Sequence, residues 1–112
     1  MRILLAVAPT MYRQTLAHIL RRSRPNDEVL LAESDSLGRT TASFRPDLIV
    51  CNDDAPEVRA VIVPSWVVIR HHDSLSASVF LGGQAPRLIQ DIALENLLEV
   101  VEETERLILR GR

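Results

Sequence analysis

Lysine is absent from this chain of 112 residues, so all thirteen of its basic residues are arginines. Without lysine the chain cannot build a phosphate-binding P-loop, which requires one, and it has no lysine to form a Schiff base. A lysine general base is excluded for the same reason. Three kinds of lysine-dependent chemistry are therefore excluded for this protein.

Cysteine is nearly absent as well, because Cys51 is the only one in the chain. A single cysteine excludes an internal disulfide and cannot by itself form a zinc site. Cys51 lies within an apolar run, and this position predicts a small buried hydrophobic side chain rather than a reactive thiol.

Long hydrophobic runs are missing too. No apolar stretch approaches the ~18–20 residues that a membrane-spanning helix needs. The segment Met1–Val7 has neither a separate basic region nor a convincing cleavage site, so it predicts a strand rather than a signal peptide. We therefore expect a cytoplasmic protein with no membrane partner.

Composition and charge are those of an ordinary globular domain. Hydrophobic residues make up 46% of the chain and charged residues 25%, and the formal net charge is −2. The length fits a single domain covering residues 1–112. A net charge this small creates no field that favours nucleic acid, so we expect no nucleic-acid partner.

The first half of the chain alternates between strand and helix patterns. Thr10 is the predicted N-cap of a first helix, and a shorter helix is predicted from Leu37 to Phe44. Such strand–helix–strand spacing favours right-handed crossovers and a parallel sheet. The apolar runs that predict its buried strands are Ile3–Val7, Val29–Ala32 and Leu48–Cys51.

The second half changes character after a short helix predicted around Glu57–Val61. Eight residues separate a strand ending at Ile69 from one beginning at Ser78. A parallel crossover needs roughly a dozen residues or more, so these strands are predicted to form an antiparallel hairpin. Arg87–Gln90 is a candidate sixth strand, and Asp91 is the predicted cap of a final helix.

The first fifty residues resemble response-regulator receiver domains. The resemblance implies a flavodoxin-like α/β fold, a three-layer sandwich with parallel strand order 2-1-3-4, here extended by the antiparallel hairpin and the C-terminal helix. It also implies a bacterial signalling protein. The segments that carry the resemblance are Arg2-Ile3-Leu4-Leu5-Ala6, Tyr12-Arg13-Gln14-Thr15-Leu16 and Arg45-Pro46-Asp47-Leu48-Ile49-Val50.

The residues with which receiver domains transfer phosphate are missing from this chain. The acidic pair that holds magnesium falls on Val7 and Ala8, and the phosphoacceptor aspartate falls on Asn52. The hydroxyl after the fourth strand corresponds to Arg70, and the lysine after the fifth corresponds to Gly82. The resemblance therefore implies a scaffold without catalytic residues and without a cofactor.

Polar residues gather where the third and fourth predicted strands end. The carboxyl ends of neighbouring parallel strands meet at one edge of the sheet, where ligands commonly bind. Two interpretations stay open: a ligand, partner, metal or catalytic site of carboxylates and histidines, or a turn, a helix cap and a solvated loop. Adjacent histidines in a strand point to opposite faces, which disfavours one ion bound by both. The residues concerned are Asn52, Asp53, Asp54, Arg70, His71, His72 and Asp73.

Three classes of function follow. We expect a non-enzymatic regulatory or protein-interaction module, a pseudo-receiver that works without phosphorylation and has an unidentified protein partner. The alternatives are a small-ligand or metal-binding protein that uses Asp53, Asp54, His71 and His72, and an enzyme of unknown reaction. An exposed antiparallel end of the sheet also predicts a homodimer, formed through the last sheet edge or the apolar flank of a helix.

Overall fold

The computed structural model describes residues 1–33, 40, 43–52, 63–71, 75–82 and 85–110. They form a six-stranded sheet in the order β2-β1-β3-β4-β5-β6, with two long helices on it. No helix among these residues is long and apolar enough to cross a membrane. The elements are β1 (Arg2–Leu5), α1 (Thr10–Ser23), β2 (Glu28–Leu31), β3 (Leu48–Asn52), β4 (Ser65–His71), β5 (Leu75–Leu81), β6 (Arg87–Ile89) and α2 (Leu94–Arg110).

Four strands form the parallel half of the sheet. β1 pairs in parallel with β2 on one side and β3 on the other, and β4 continues beyond β3 in the same direction. Every residue of the run Ile3–Val7 is buried, as a strand covered on both faces requires. The predicted order of these four strands and their common direction are confirmed.

The remaining strands are antiparallel. β5 returns along β4 with Trp66 opposite Phe80 and Val67 opposite Val79, and β6 runs antiparallel to β5. Three residues join β4 to β5, far fewer than a parallel crossover needs. The predicted hairpin and sixth strand are confirmed, and loop length is the physical reason for both.

Both long helices cover the same face of the sheet. Alternate strand residues point to this face, because side chains alternate along a strand. α1 and α2 each place an apolar stripe against them. The core of this face includes Ile3, Leu5, Val50, Val67, Val79, Leu16, Leu20, Leu97 and Val101.

The opposite face carries a second apolar cluster of Leu4, Ala6, Ile49, Cys51 and Val68. Cys51 is 2% exposed, as its apolar run predicted. The helices predicted to form a third layer here fall largely outside the described residues, which include only 40, 43 and 44 of the first and none of Glu57–Val61. The α/β class is therefore established, and the three-layer arrangement stays a prediction.

Two predicted helix caps are wrong. Thr10 is the first residue of α1 rather than its cap, and Pro9 occupies the cap position with an extended backbone. Asp91 has a φ of 49°, in the left-handed region, whereas an N-cap residue needs an extended backbone. α2 begins at Leu94. The N–H of the preceding residue, Ala93, donates to Oδ1 of Asn96 at 2.8 Å.

A charged cluster closes the amino edge of the parallel strands. The Met1 ammonium donates to Oδ1 of Asp27 at 2.9 Å, and the side chains of Met1 and Asp27 are 4% and 5% exposed. Arg24, after the end of α1, donates both to Asp27 and to Glu105 of α2. The cluster thus joins the chain start to the C-terminal halves of both helices.

Two buried serines in the hairpin have opposite hydrogen-bonding states. Ser65 is fully buried, and its Oγ has no hydrogen-bond partner within the described part of the chain. Ser78 is 9% exposed and accepts a hydrogen bond from Arg70 at 2.9 Å. A buried hydroxyl without a partner costs stability, whereas one with a partner contributes about 1 kcal/mol.

We therefore expect opposite effects from the same substitution at these serines. Ser65→Ala should raise the free energy of unfolding by about 1 kcal/mol, and Ser78→Ala should lower it by about the same amount. Urea denaturation of the two variants and the wild type measures both changes. A loss of stability in Ser65→Ala equal to that in Ser78→Ala would contradict the assignment.

Candidate functional site

The carboxyl edge of the parallel strands is the candidate functional site. The chain leaves β1 here, passes through Ala8 and Pro9, and enters α1 at Thr10. β3 ends at this edge with Asn52, and β4 ends beside it with Arg70 and His71. The predicted juxtaposition of the third and fourth strand ends is therefore present in the fold.

Asn52 joins three strand ends at this edge. Its Oδ1 accepts a hydrogen bond from the Ala8 N–H at 2.7 Å, and its Nδ2 donates to the Ile69 carbonyl oxygen at 3.2 Å. An amide suits this position because it carries an acceptor and a donor together. The position that the receiver resemblance assigns to the phosphoacceptor thus holds a side chain that connects strand ends through hydrogen bonds.

Arg13 is a buried cation that sequence reasoning missed. It lies in the second turn of α1, is 6% exposed, and donates from Nη1 to the Ala32 carbonyl oxygen at 2.9 Å. Its Nη2 donates to Glu33 at 2.8 Å and to Thr10 at 3.3 Å. It shares the inward spacing of the buried α1 positions, which is the one sequence signal that could have identified it.

Arg70 reaches across the hairpin at the same edge. Its Nη1 donates to Oγ of Ser78 on β5 at 2.9 Å, and the side chain is half-buried. The side chain therefore lies along the sheet surface between β4 and β5.

The other predicted site residues are only partly described. The backbone of His71 belongs to β4 and pairs with Leu75. Asp53, Asp54, His72 and Asp73 lie outside the described residues, so their predicted role stays a prediction. Within the described ranges, no group of three or more histidine, cysteine or acidic side chains is arranged to hold a metal ion.

An apolar cleft opens beside this polar edge, between the start of α1 and the start of α2. Its volume is ≈ 190 Å³. Burial raises the pKa of the Tyr12 hydroxyl, which lies in its wall. Sequence reasoning missed the cleft because its walls come from distant segments. They are Tyr12, Thr15, Leu16, Ile19, Ile69, Ile92, Ala93, Leu94 and Leu97.

No protein-family model matches this sequence, and no curated protein matches it either. Among solved structures, the chain is similar to HypX from Aquifex aeolicus. It matches the crystal structure of HypX in complex with tetrahydrofolic acid with a TM-score of 0.56 and 15% identity, over 98% of this chain and 27% of that one.

Two variants of HypX give the same result. A variant with four substitutions matches with a TM-score of 0.51 and 14% identity, and a variant with two substitutions with 0.52 and 15%. This chain spans about 27% of the length of HypX. At this identity the similarity concerns the fold alone, and it agrees with a mixed α/β sheet flanked by helices.

Proposed function

We propose that this chain is a non-enzymatic protein-interaction module, a receiver-like domain that works without phosphorylation. The observation that carries the proposal is that the Asn52 side chain is hydrogen-bonded to the backbone. At the sheet position where a receiver domain would react, both ends of the side chain are occupied by hydrogen bonds to the backbone. A group held in this way stabilises the edge and has no reactive atom to offer.

The surroundings of Asn52 support the same proposal. Phosphoryl transfer to a carboxylate depends on a metal ion and on a cation that holds the phosphate oxygens. Val7 is a buried hydrocarbon side chain, and Ala8 has no side-chain ligand for a metal. At the end of β2, the guanidinium of Arg13 already donates to Glu33 and to the Ala32 carbonyl.

A cytoplasmic, bacterial signalling role belongs to this proposal, with a protein as the partner and no nucleic acid. The net charge of −2 supports the exclusion of nucleic acid, because it creates no field that attracts phosphates. Exposed apolar groups on the helical face support a protein partner. Met11 in α1 is 80% exposed, and Leu109 in α2 is 62% exposed.

A small-ligand or metal-binding protein that uses Asp53, Asp54, His71 and His72 is the second candidate, and its small-ligand form is favoured by the apolar cleft beside Ile69. Its ≈ 190 Å³ is below the range of about 300–1,000 Å³ that is typical of sites for drug-sized ligands, so only a small ligand would fit. Titration with a divalent metal, followed by the NMR shifts of the histidines, separates this candidate from the first. Shifts that saturate at an equimolar ratio would favour it.

The phosphodonor experiment tests the proposed function directly. We expect neither the wild type nor Asn52→Asp to gain phosphate when incubated with magnesium and acetyl phosphate, because Val7 and Ala8 offer no ligands for the metal and the chain has no lysine to hold the phosphate oxygens. Intact-protein mass spectrometry measures the uptake. A receiver domain with its phosphotransfer residues in place is the positive control.

A stable mass increase of one phosphate in the wild type would contradict the proposal. It would mean that a displaced carboxylate accepts phosphate, with Asp53 as the first candidate. An increase only in Asn52→Asp would mean that the edge still supports phosphoryl transfer and that Asn52 alone blocks it.

A further inference from the structure

The two helices on the covered face of the sheet carry opposite charge. α1 contains three arginines and no acidic residue, whereas α2 contains five glutamates and two arginines. They run in the same direction, because β1 and β6 both end at the carboxyl edge and each helix returns from there. Because Arg13 is buried, the outer surface of this face has the exposed Arg21 and Arg22 at the C-terminal end of α1 beside an acidic strip on α2.

The Arg24–Glu105 ion pair shows how the two helices are offset along their axes. These residues are 81 positions apart in the chain. With the same offset of 81 residues, Arg22 and Glu103 lie at the same position along the helix axes, and Glu102 is next to Glu103. Met11 likewise lies at the same position as Ile92, which lines the apolar cleft. Arg22, Glu102 and Met11 are all exposed on the outer side of their helices.

We propose that a second copy of this chain docks on the helical face, with α1 of each copy on α2 of the other. A twofold axis that runs between the helices and parallel to them exchanges their positions and keeps their heights. Arg22 of one copy then faces Glu102 of the other, and each such contact occurs twice. This self-docking rests on the proposed function, which it deepens by naming the partner.

Met11 provides the apolar centre of the contact. The axis brings Met11 of one copy, which is 80% exposed, to the cleft of the other. A cavity of roughly 150 Å³ accepts a benzene-sized group, so ≈ 190 Å³ accommodates one methionine side chain. Methionine suits such a contact because its flexible side chain adapts to an irregular cleft.

The size of the face predicts a weak dimer. A helix of 14 residues is about 21 Å long and about 10 Å wide, so the paired helices present roughly 420 Å² in each copy. Twice this area lies below the standard size of stable interfaces, which is about 1,600 Å². We therefore expect association in the micromolar range or weaker, and weaker still in high salt because the paired charges are exposed.

The sheet edge is a poorer docking surface for a second copy. β6 has only three residues, and a very short edge strand limits the hydrogen bonds that another strand can add. Its exposed Leu88 provides the matched control, because Leu88→Gln changes an exposed apolar residue on the edge without touching the helices.

Sedimentation equilibrium from about 10 µM to about 1 mM, in low and high salt, tests the proposal. We expect Arg22→Glu and Glu102→Arg each to weaken the dimer about fivefold, because each changes two contacts. The double variant should recover the wild-type affinity. Met11→Gln should weaken the dimer about tenfold, whereas Leu88→Gln should not change it. Circular dichroism verifies that every variant is folded.

Three outcomes would overturn the self-docking. They are a concentration-independent monomer, a dimer lost in Leu88→Gln but kept in Met11→Gln, and a double charge variant that fails to recover. None of them alters the phosphodonor result, so a monomer would refute self-docking and leave the interaction role intact. Phosphate uptake would refute the proposed function whatever the oligomeric state.

Discussion

Replacing Asp27 by asparagine is expected to lower the free energy of unfolding by about 3 kcal/mol, since one member of a buried ion-pair cluster is removed. The carboxylate is 5% exposed and accepts hydrogen bonds from the Met1 ammonium and from Arg24. Without this charge, the partly buried Met1 ammonium loses its counter-ion. Arg24 keeps only Glu105 as an acidic partner within the described residues.

The same substitution is expected to change the pH dependence of stability. Burial by itself raises the pKa of Asp27, but the hydrogen bonds and charges of Arg24 and the Met1 ammonium outweigh it, so the net pKa is lowered. In the unfolded chain the pKa is about 3.9. The stabilisation from Asp27 is therefore present above about pH 4 and is lost as the pH falls through the lower folded-state pKa.

Urea denaturation between neutral pH and about pH 3 checks both effects, on protein that carries the free Met1 amino group. The difference between wild type and Asp27→Asn should shrink as the pH falls below about 4. Glu28→Gln is the matched control, because Glu28 is 65% exposed and lies 3.6 Å from Arg2. It should change stability by less than about 1 kcal/mol. Equal losses in the two variants would contradict a special role for Asp27.

The sheet could be predicted from the sequence because its signals are local. Continuous apolar runs mark strands buried on both faces, and the short link between β4 and β5 excludes a crossover. The caps at Thr10 and Asp91 were predicted from residue type alone. Where a helix begins also depends on tertiary packing, and at α2 the chain buries Ile92 to 7% exposure before the helix starts at Leu94.

The candidate site could be predicted only in part. The sequence placed Asn52 at the end of a strand, but its partners are Ala8 and the carbonyl of Ile69, which are 44 and 17 residues away. An arginine in a helix is ordinarily exposed, so the burial of Arg13 could not be read from its residue type. Interactions of this kind depend on which chain segments meet, and only the packed fold defines that.

Removing the Asn52 side chain should have the second largest effect on stability. Asn52→Ala loses the hydrogen bonds to the Ala8 N–H and to the Ile69 carbonyl oxygen. At about 1 kcal/mol for each hydrogen bond, the free energy of unfolding should fall by about 2 kcal/mol. Loss of the hydrogen bond to Asn52 should also speed hydrogen exchange at the Ala8 amide, which NMR measures. A change in stability below about 0.5 kcal/mol would contradict the structural role.

Asn52→Asp separates the donor role of the amide from its acceptor role. The new carboxylate can still accept from the Ala8 N–H, but it cannot donate to the Ile69 carbonyl oxygen and repels it instead. We expect the variant to be about 1 kcal/mol less stable than wild type at neutral pH. The difference should shrink at lower pH, because the protonated acid regains a donor.

Asn96→Asp is the matched control for this pH effect. Asn96 only accepts in its described hydrogen bond, from the Ala93 N–H, and it lies in the first turn of α2, where negative charge is favourable. Its substitution should leave stability unchanged or raise it slightly at neutral pH. If both variants lose the same stability, the bond to Ile69 contributes nothing. If only Asn52→Asp loses stability, the amide at the end of β3 is required as a donor, which is a structural reason for asparagine at this position.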